Sequence, residues 1–131
     1  MSDPEKAELV KYRITKAKET LSEVEELHIK NELWGTSVNR LYYASFYAVT
    51  ALLLQFDIST KTHNGTRQMF GLHFIKPGII SEKSGDFYKD IFDKRQTGDY
   101  EDLIVFSKDE VVGLLQPAKD LVSEIEDILS K

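Results

Sequence analysis

Sixteen consecutive residues, Leu41 to Phe56, carry no charge, and that run limits what the rest of the chain can become. Extended back to Ser37, it has helical period. Val38, Leu41, Tyr42, Ser45, Val49, Leu52, Leu53 and Phe56 fall on one broad face. Ala44, Ala48 and Ala51 form a second strip, where small side chains let another helix come close. A bilayer span needs about 20 apolar residues, and this run is shorter and contains Ser45, Thr50 and Gln55. It reads as a helix over about 37–56, central in a bundle or covered on one side by a partner subunit. Arg40 is its one charged residue, and no membrane segment is expected.

The flanking segments supply helices to cover it. Pro4 to about Leu27 predicts a long helix, with Val10, Ile14, Ala17, Leu21 and Val24 at spacings of three and four. Asp3 ahead of Pro4 is a start signal, since Asp caps free amides and Pro fits a first turn. His28 to Thr36 breaks the period and reads as a connection, as does Asp57 to Asn64. A short helix is predicted from Thr66 to about Ile75, turning Met69, Phe70, His73 and Phe74 inward and ending at Pro77-Gly78. Another, about Ser84 to Arg95, buries Phe87 and Ile91, after which Gly98 opens a loop reaching Phe106. Ser107 and Glu110 form a capping box. The last helix follows it to the chain end, with a bend expected at Pro117. No segment has strand period, so the expectation is one all-α domain over 1–131.

Composition narrows function. Seventeen Lys+Arg against 22 Asp+Glu give a formal charge of −5, and there is no cysteine. An acidic total argues against non-specific coating of nucleic acid, which needs surplus cations to displace counterions. Without cysteine there is no disulfide framework and no thiolate nucleophile or metal ligand. That composition fits a reducing compartment, and a cytoplasmic location is expected. The start, Met-Ser-Asp-Pro-Glu-Lys, lacks the basic-then-apolar order of a signal peptide.

The charge is unevenly placed. Ile58 to Ser81 holds Lys61, Arg67 and Lys76 and no acid, together with His63 and His73. Such a stretch suits an anion such as phosphate, a nucleotide or an RNA backbone, or is simply a solvated face. Thr62-His63-Asn64-Gly65 precedes a helix start, where amides hold anions or where Thr62 or Asn64 acts as a cap. His73, beside Phe70 and Phe74, reads as a packing residue, and His63 in a polar loop as the better functional candidate. Two histidines ten residues apart without a carboxylate partner make no metal site, and none is expected. The second polar cluster runs from Asp93 to Asp102. In it Arg95 either closes a helix or grips phosphate with its two-pronged guanidinium, Asp99 pairs with it, and Tyr100 stacks or packs. Asn39 and Arg40, on an apolar helix, need polar partners. No Ser-His-Asp arrangement, Gly-rich phosphate loop or carboxylate–histidine metal motif is present, and no cofactor is implied.

Taken in order, Asn39-Arg40-Leu41-Tyr42-Tyr43-Ala44-Ser45-Phe46-Tyr47-Ala48, Thr62-His63-Asn64-Gly65, Phe74-Ile75-Lys76-Pro77-Gly78 and Arg95-Gln96-Thr97-Gly98-Asp99-Tyr100 resemble HEPN domains. The likeness is greatest to the small stand-alone branch and covers nearly the whole chain. It implies an up-and-down bundle of about five helices with two long antiparallel ones. It also implies a homodimer, and a minimal nucleotidyltransferase as partner in a toxin–antitoxin pair. Active members are metal-independent endoribonucleases whose signature is an Arg followed, after four to six residues, by a His. Arg95 matches that Arg, but Tyr100, Glu101 and Asp102 stand where the His is due. The expectation is a nucleotide- or RNA-binding module using Arg95, His63 and Lys61, with Asp99 and Tyr100 shaping the site. The alternative is a ribonuclease toxin with a rearranged site built from Arg95 and His63, so whether the chain is an enzyme stays open.

Overall fold

The computed structural model describes residues 1–100 and 105–131, and of 98–100 the backbone alone. Five helices form the described fold, with no strand among those residues: α1 Asp3–Glu23, α2 Trp34–Gln55, α3 His63–Phe70, α4 Glu82–Tyr100 and α5 Lys108–Leu129. The short connection over 29–33 folds α2 back antiparallel onto α1. The helix α2 packs against α1, α5 and α4, so it is central as its apolar character requires. Leu41, Tyr42, Ala44, Ala48, Val49, Ala51 and Leu52 are wholly buried. One stripe of α2 stays half-exposed: Tyr43, Phe46, Tyr47, Thr50 and Leu54, at helical spacing.

The local signals at the helix ends are partly those read from sequence. Ser2, rather than Asp3, caps α1: its hydroxyl accepts from the Glu5 amide while the Glu5 carboxylate accepts from the Ser2 amide. Asp3 becomes a first-turn acid, favourable against the helix dipole. The Ser107–Glu110 box forms as expected, both bonds at 3.2 Å, and α5 runs through Pro117 without a break. Helix α2 starts at Trp34, earlier than the period predicts. Its first turn contains exposed Gly35 and Thr36, so no apolar repeat registers there. Helix α4 continues past Gly98 to Tyr100, because one helical glycine costs only about 1 kcal/mol and does not by itself end a helix. The bundle has the five helices expected, α1 and α2 being a long antiparallel pair, α4 and α5 also long and α3 short.

Two π-helical turns change the phase of the chain. One, Val24–His28, closes α1, with the Ile29 amide bonded to the Val24 carbonyl at 2.9 Å. The other, Gly71–Ile75, follows α3. Its wider turn keeps Phe70 and Phe74 in the core but rotates His73 outward, so His73 is exposed rather than packed. Phe56, expected on the buried face, is 52% exposed because the helix ends at Gln55. There Asp57 takes a left-handed conformation (φ 59°) and the Ile58 amide bonds back to Leu53, a Schellman ending that sends 58–62 across α2. Gly78 (φ 80°) makes the corresponding turn after α3, where the Ile80 amide reaches the Phe74 carbonyl.

The carboxylate of Glu124 on α5 accepts from the Ser81 amide (2.6 Å) and from the Ser81 and Ser84 hydroxyls (3.0 and 2.7 Å). It thereby caps the start of α4 from another helix. Lys119–Glu25 and Lys18–Glu126, both at 2.9 Å, tie α5 to α1 and the π turn after it.

Candidate functional site

Helix α2 carries the centre of the site in Tyr42 and Tyr43. Tyr42 is buried, and its hydroxyl lies 2.6 Å from Nδ1 of His63, the first residue of α3. His63 is there because the Schellman ending of α2 sends 58–62 back across the helix. Thr62 then caps α3, its hydroxyl accepting from the Gly65 amide at 2.8 Å. The His63 ring stacks on Phe46, centroids 4.4 Å apart and planes 26° apart. At the same tyrosine pair, Arg95 of α4 donates through Nη2 to the Tyr43 hydroxyl at 3.2 Å. Its guanidinium carbon is 5.3 and 5.5 Å from the Tyr42 and Tyr43 ring centres. The basic stretch and the Arg95 segment, which spacing alone could not relate, thus meet across two adjacent residues of the central helix.

The electrostatics of the pair follow from this placement. Burial pushes the Tyr42 hydroxyl up to about 12, outweighing the nearby Arg95 charge, so it stays protonated. Burial, and then the Arg95 charge, lower the pKa of His63 from its ordinary 6.5. His63 is accordingly neutral at pH 7. A phenol is the stronger acid and an imidazole nitrogen the stronger base, so Tyr42 donates to Nδ1 and the histidine proton sits on Nε2. The edge of the ring away from Tyr42 is therefore a hydrogen-bond donor.

Lys61 lies on the exposed connection into α3. It lines a cleft of about 470 Å3 with Arg13, Tyr47, Thr50, Thr60 and His63, and none of the described residues lining that cleft is acidic. Arg13 of α1 donates to the Thr50 carbonyl at 3.4 Å. Arg67 donates to Asn64 at 3.1 Å and stacks over Phe92 at 4.9 Å, so it braces α3 against α4. Lys16 lies over the Tyr47 ring (5.5 Å) and Arg40 over Tyr43 (5.9 Å), so Arg40 meets an aromatic face among the described residues. Asp99 and Tyr100, expected to shape the Arg95 side, have side chains outside the described set. Among the described residues no three His, Asp or Glu side chains gather to ligate a metal, and no helix is long and apolar enough to cross a membrane.

The structure therefore joins Arg95, His63 and Lys61 along one side of α2. Sequence reasoning did not single out Arg13 of α1. It also left the tyrosine pair without a role, because an aromatic at a core spacing gives no sign that its hydroxyl faces a histidine.

Comparison with known proteins gives the family. The HEPN domain profile matches residues 10–128. A UPF0332 protein of Thermotoga maritima is 36% identical over 125 residues, 95% of this chain and 94% of that protein. Two proteins of Methanocaldococcus jannaschii carry names that mark them as candidate toxins. One is 37% identical over 102 residues (78% of this chain, 69% of the relative), the other 38% over 84 (64% and 62%). With the profile spanning nearly all of the bundle, the chain belongs to the HEPN domain family.

Proposed function

We propose that this chain is a toxin-like HEPN module that binds a nucleotide or RNA through phosphate contacts. In this reading it acts in the cytoplasm as a homodimer beside a minimal nucleotidyltransferase. The observation that carries the reading is the convergence of Arg95 and His63 on Tyr42–Tyr43, next to a cleft holding Lys61 and Arg13. Arginine offers two parallel donors to a phosphate, and the Nε2–H of a neutral imidazole adds a third without a like-charge penalty. Asp99 and Tyr100, which follow Arg95 in the chain, belong to the proposed set of binding residues. The toxin-like part rests on the names of the two M. jannaschii relatives, and the dimer and the nucleotidyltransferase rest on family resemblance.

Titrating ATP and a short single-stranded RNA at low salt tests the module. Loss of a charge-assisted contact is worth about 1.5–3 kcal/mol, so Arg95→Ala is expected to weaken binding about ten- to hundredfold. His63→Ala should weaken it less. Wild-type protein that binds neither ligand, or variants that bind as well as wild type, would leave the polar cluster a purely structural feature.

One observation favours a second reading, a metal-independent ribonuclease. Arg95 and His63 adjoin the same tyrosines, an arrangement suited to charge stabilisation beside proton transfer. Binding ranks above it because Tyr42 occupies Nδ1, the basic nitrogen that would take a proton. Incubation with total RNA in EDTA separates the two: cleavage that disappears in Arg95→Ala would establish the nuclease.

A further inference from the structure

The cations of the site are spread along α2 rather than gathered at a point. Arg95 bonds to Tyr43, His63 stacks on Phe46, and Arg13 bonds to the carbonyl of Thr50. Tyr43, Tyr47 and Thr50 stand at i, i+4 and i+7, so they share one face of the helix, the half-exposed stripe. Seven residues at 1.5 Å rise separate the Tyr43 and Thr50 backbone levels, to which Arg95 and Arg13 are tied, by about 10 Å along the axis. His63 stacks on Phe46, between Tyr43 and Thr50 in the helix, Lys61 lines the same cleft as Arg13 and His63, and Lys16 covers Tyr47 from the α1 side. One phosphoryl group is only a few ångströms across and cannot meet both arginines.

We propose that the ligand carries at least two linked phosphoryl groups and lies along α2, with Arg13 as the second anchor of a path that begins at Arg95. The half-exposed Tyr43 and Tyr47 rings beside that path offer faces on which a base can stack. The chemistry recognised is a chain of linked phosphates flanked by a nucleobase. Either a nucleoside polyphosphate or a short RNA strand supplies it. The inference rests on the reading that the Arg95–His63 cluster binds nucleotide or RNA, and it adds the length of the ligand and a residue on α1.

The test compares AMP, ADP and a tetraribonucleotide, titrated by calorimetry against wild type, Arg13→Gln and Lys61→Gln at one salt concentration. Wild type is expected to bind ADP, the tetranucleotide or both about tenfold or more tighter than AMP. Whichever binds better names the source of the phosphates. Arg13→Gln should weaken that ligand towards the AMP level and weaken AMP by a smaller factor, so that the preference for the longer ligand is lost. Lys61→Gln, at an exposed position, should erode the same preference. The proposal is overturned if AMP binds as tightly as the longer ligands. It is also overturned if Arg13→Gln weakens all three by the same factor, which is the mark of a disturbed α1–α2 contact. Failure of all three to bind overturns this inference together with the functional reading, whereas an AMP-level plateau overturns this inference alone.

Discussion

His63 shows how a single side chain is set by its neighbours. Its lowered pKa means that the unfolded chain takes up a proton first as the pH falls below 6.5. The stability associated with the neutral ring is therefore complete above pH 6.5 and declines as the pH drops towards the native pKa. Urea midpoints at pH 7.5 and 5.5 should fall more for wild type than for His63→Gln, and equal falls would mean that the ring is not held neutral. Long-range 15N–1H spectra of histidine-labelled protein at pH 7.5 should show Nε2 protonated and Nδ1 bare. A protonated Nδ1 would reverse the donor assignment made from the 2.6 Å Tyr42 contact. His63 was legible as a candidate because it stands in a polar stretch next to a helix start. Its partner Tyr42 was not, since an aromatic on an apolar face announces burial but not what its hydroxyl meets. His73 was misread for a different reason: a π turn adds a residue to the repeat, and periodicity counted at 3.6 then assigns the wrong face.

Among the elements, α4 matters most to the site because it carries Arg95, and its start is held by Glu124 of α5. Burial alone would raise that carboxyl. The Ser81 amide and the Ser84 and Ser81 hydroxyls together outweigh burial and hold it below its ordinary 4.5. A lowered carboxylate pKa stabilises the fold above pH 4.5, and the benefit fades as the pH falls through the native value. Glu124→Ala should cost about 1–2 kcal/mol at pH 7, in the range of a lost helix cap and the lost partner of the buried Ser84 hydroxyl. The difference from wild type should shrink below pH 4.5. A cost that is the same at pH 7 and pH 3.5 would assign the loss to packing instead. Nothing in the sequence pairs residues 81 and 124, because the bond joins elements 43 positions apart. The capping box of α5 was legible, since its donors and acceptors lie within four residues. The end of α4 was not, because Gly98 weakens a helix without ending it.

At the scale of the molecule, −5 is a sum over unlike regions. Residues 107–131 hold three cations and six acids, and residues 1–35 six and eight. Part of that excess is paired across the bundle in Lys119–Glu25 and Lys18–Glu126. Each of these pairs is partly exposed and is worth about 0.2–1 kcal/mol. The α2 stripe instead gathers Arg13, Lys16, His63 and Arg95 from three helices. Ligand binding there should weaken with salt despite the net negative charge of the protein. Single-strand contacts give a slope of about −0.7 per phosphate in log affinity against log salt. Two or three contacts therefore predict a slope of roughly −1.4 to −2.1 for a short RNA, and a slope near zero would remove phosphate as the recognised group.

The sequence by itself determined that α2 must be covered on most sides, that helices are available to cover it, and that the chain is similar to HEPN domains. Each of these depends on spacing within one segment or on motifs that keep their order along the chain. Only the tertiary structure decided that His63 and Arg95 share a tyrosine pair, that Arg13 stands on the same path, and that His73 does not. Those relations depend on how the Schellman turn and the π turn rotate one helix against another. A change of one residue in helical phase turns a side chain by about 100° around the axis, enough to take it off the buried face, and hydropathy at a single position does not record phase.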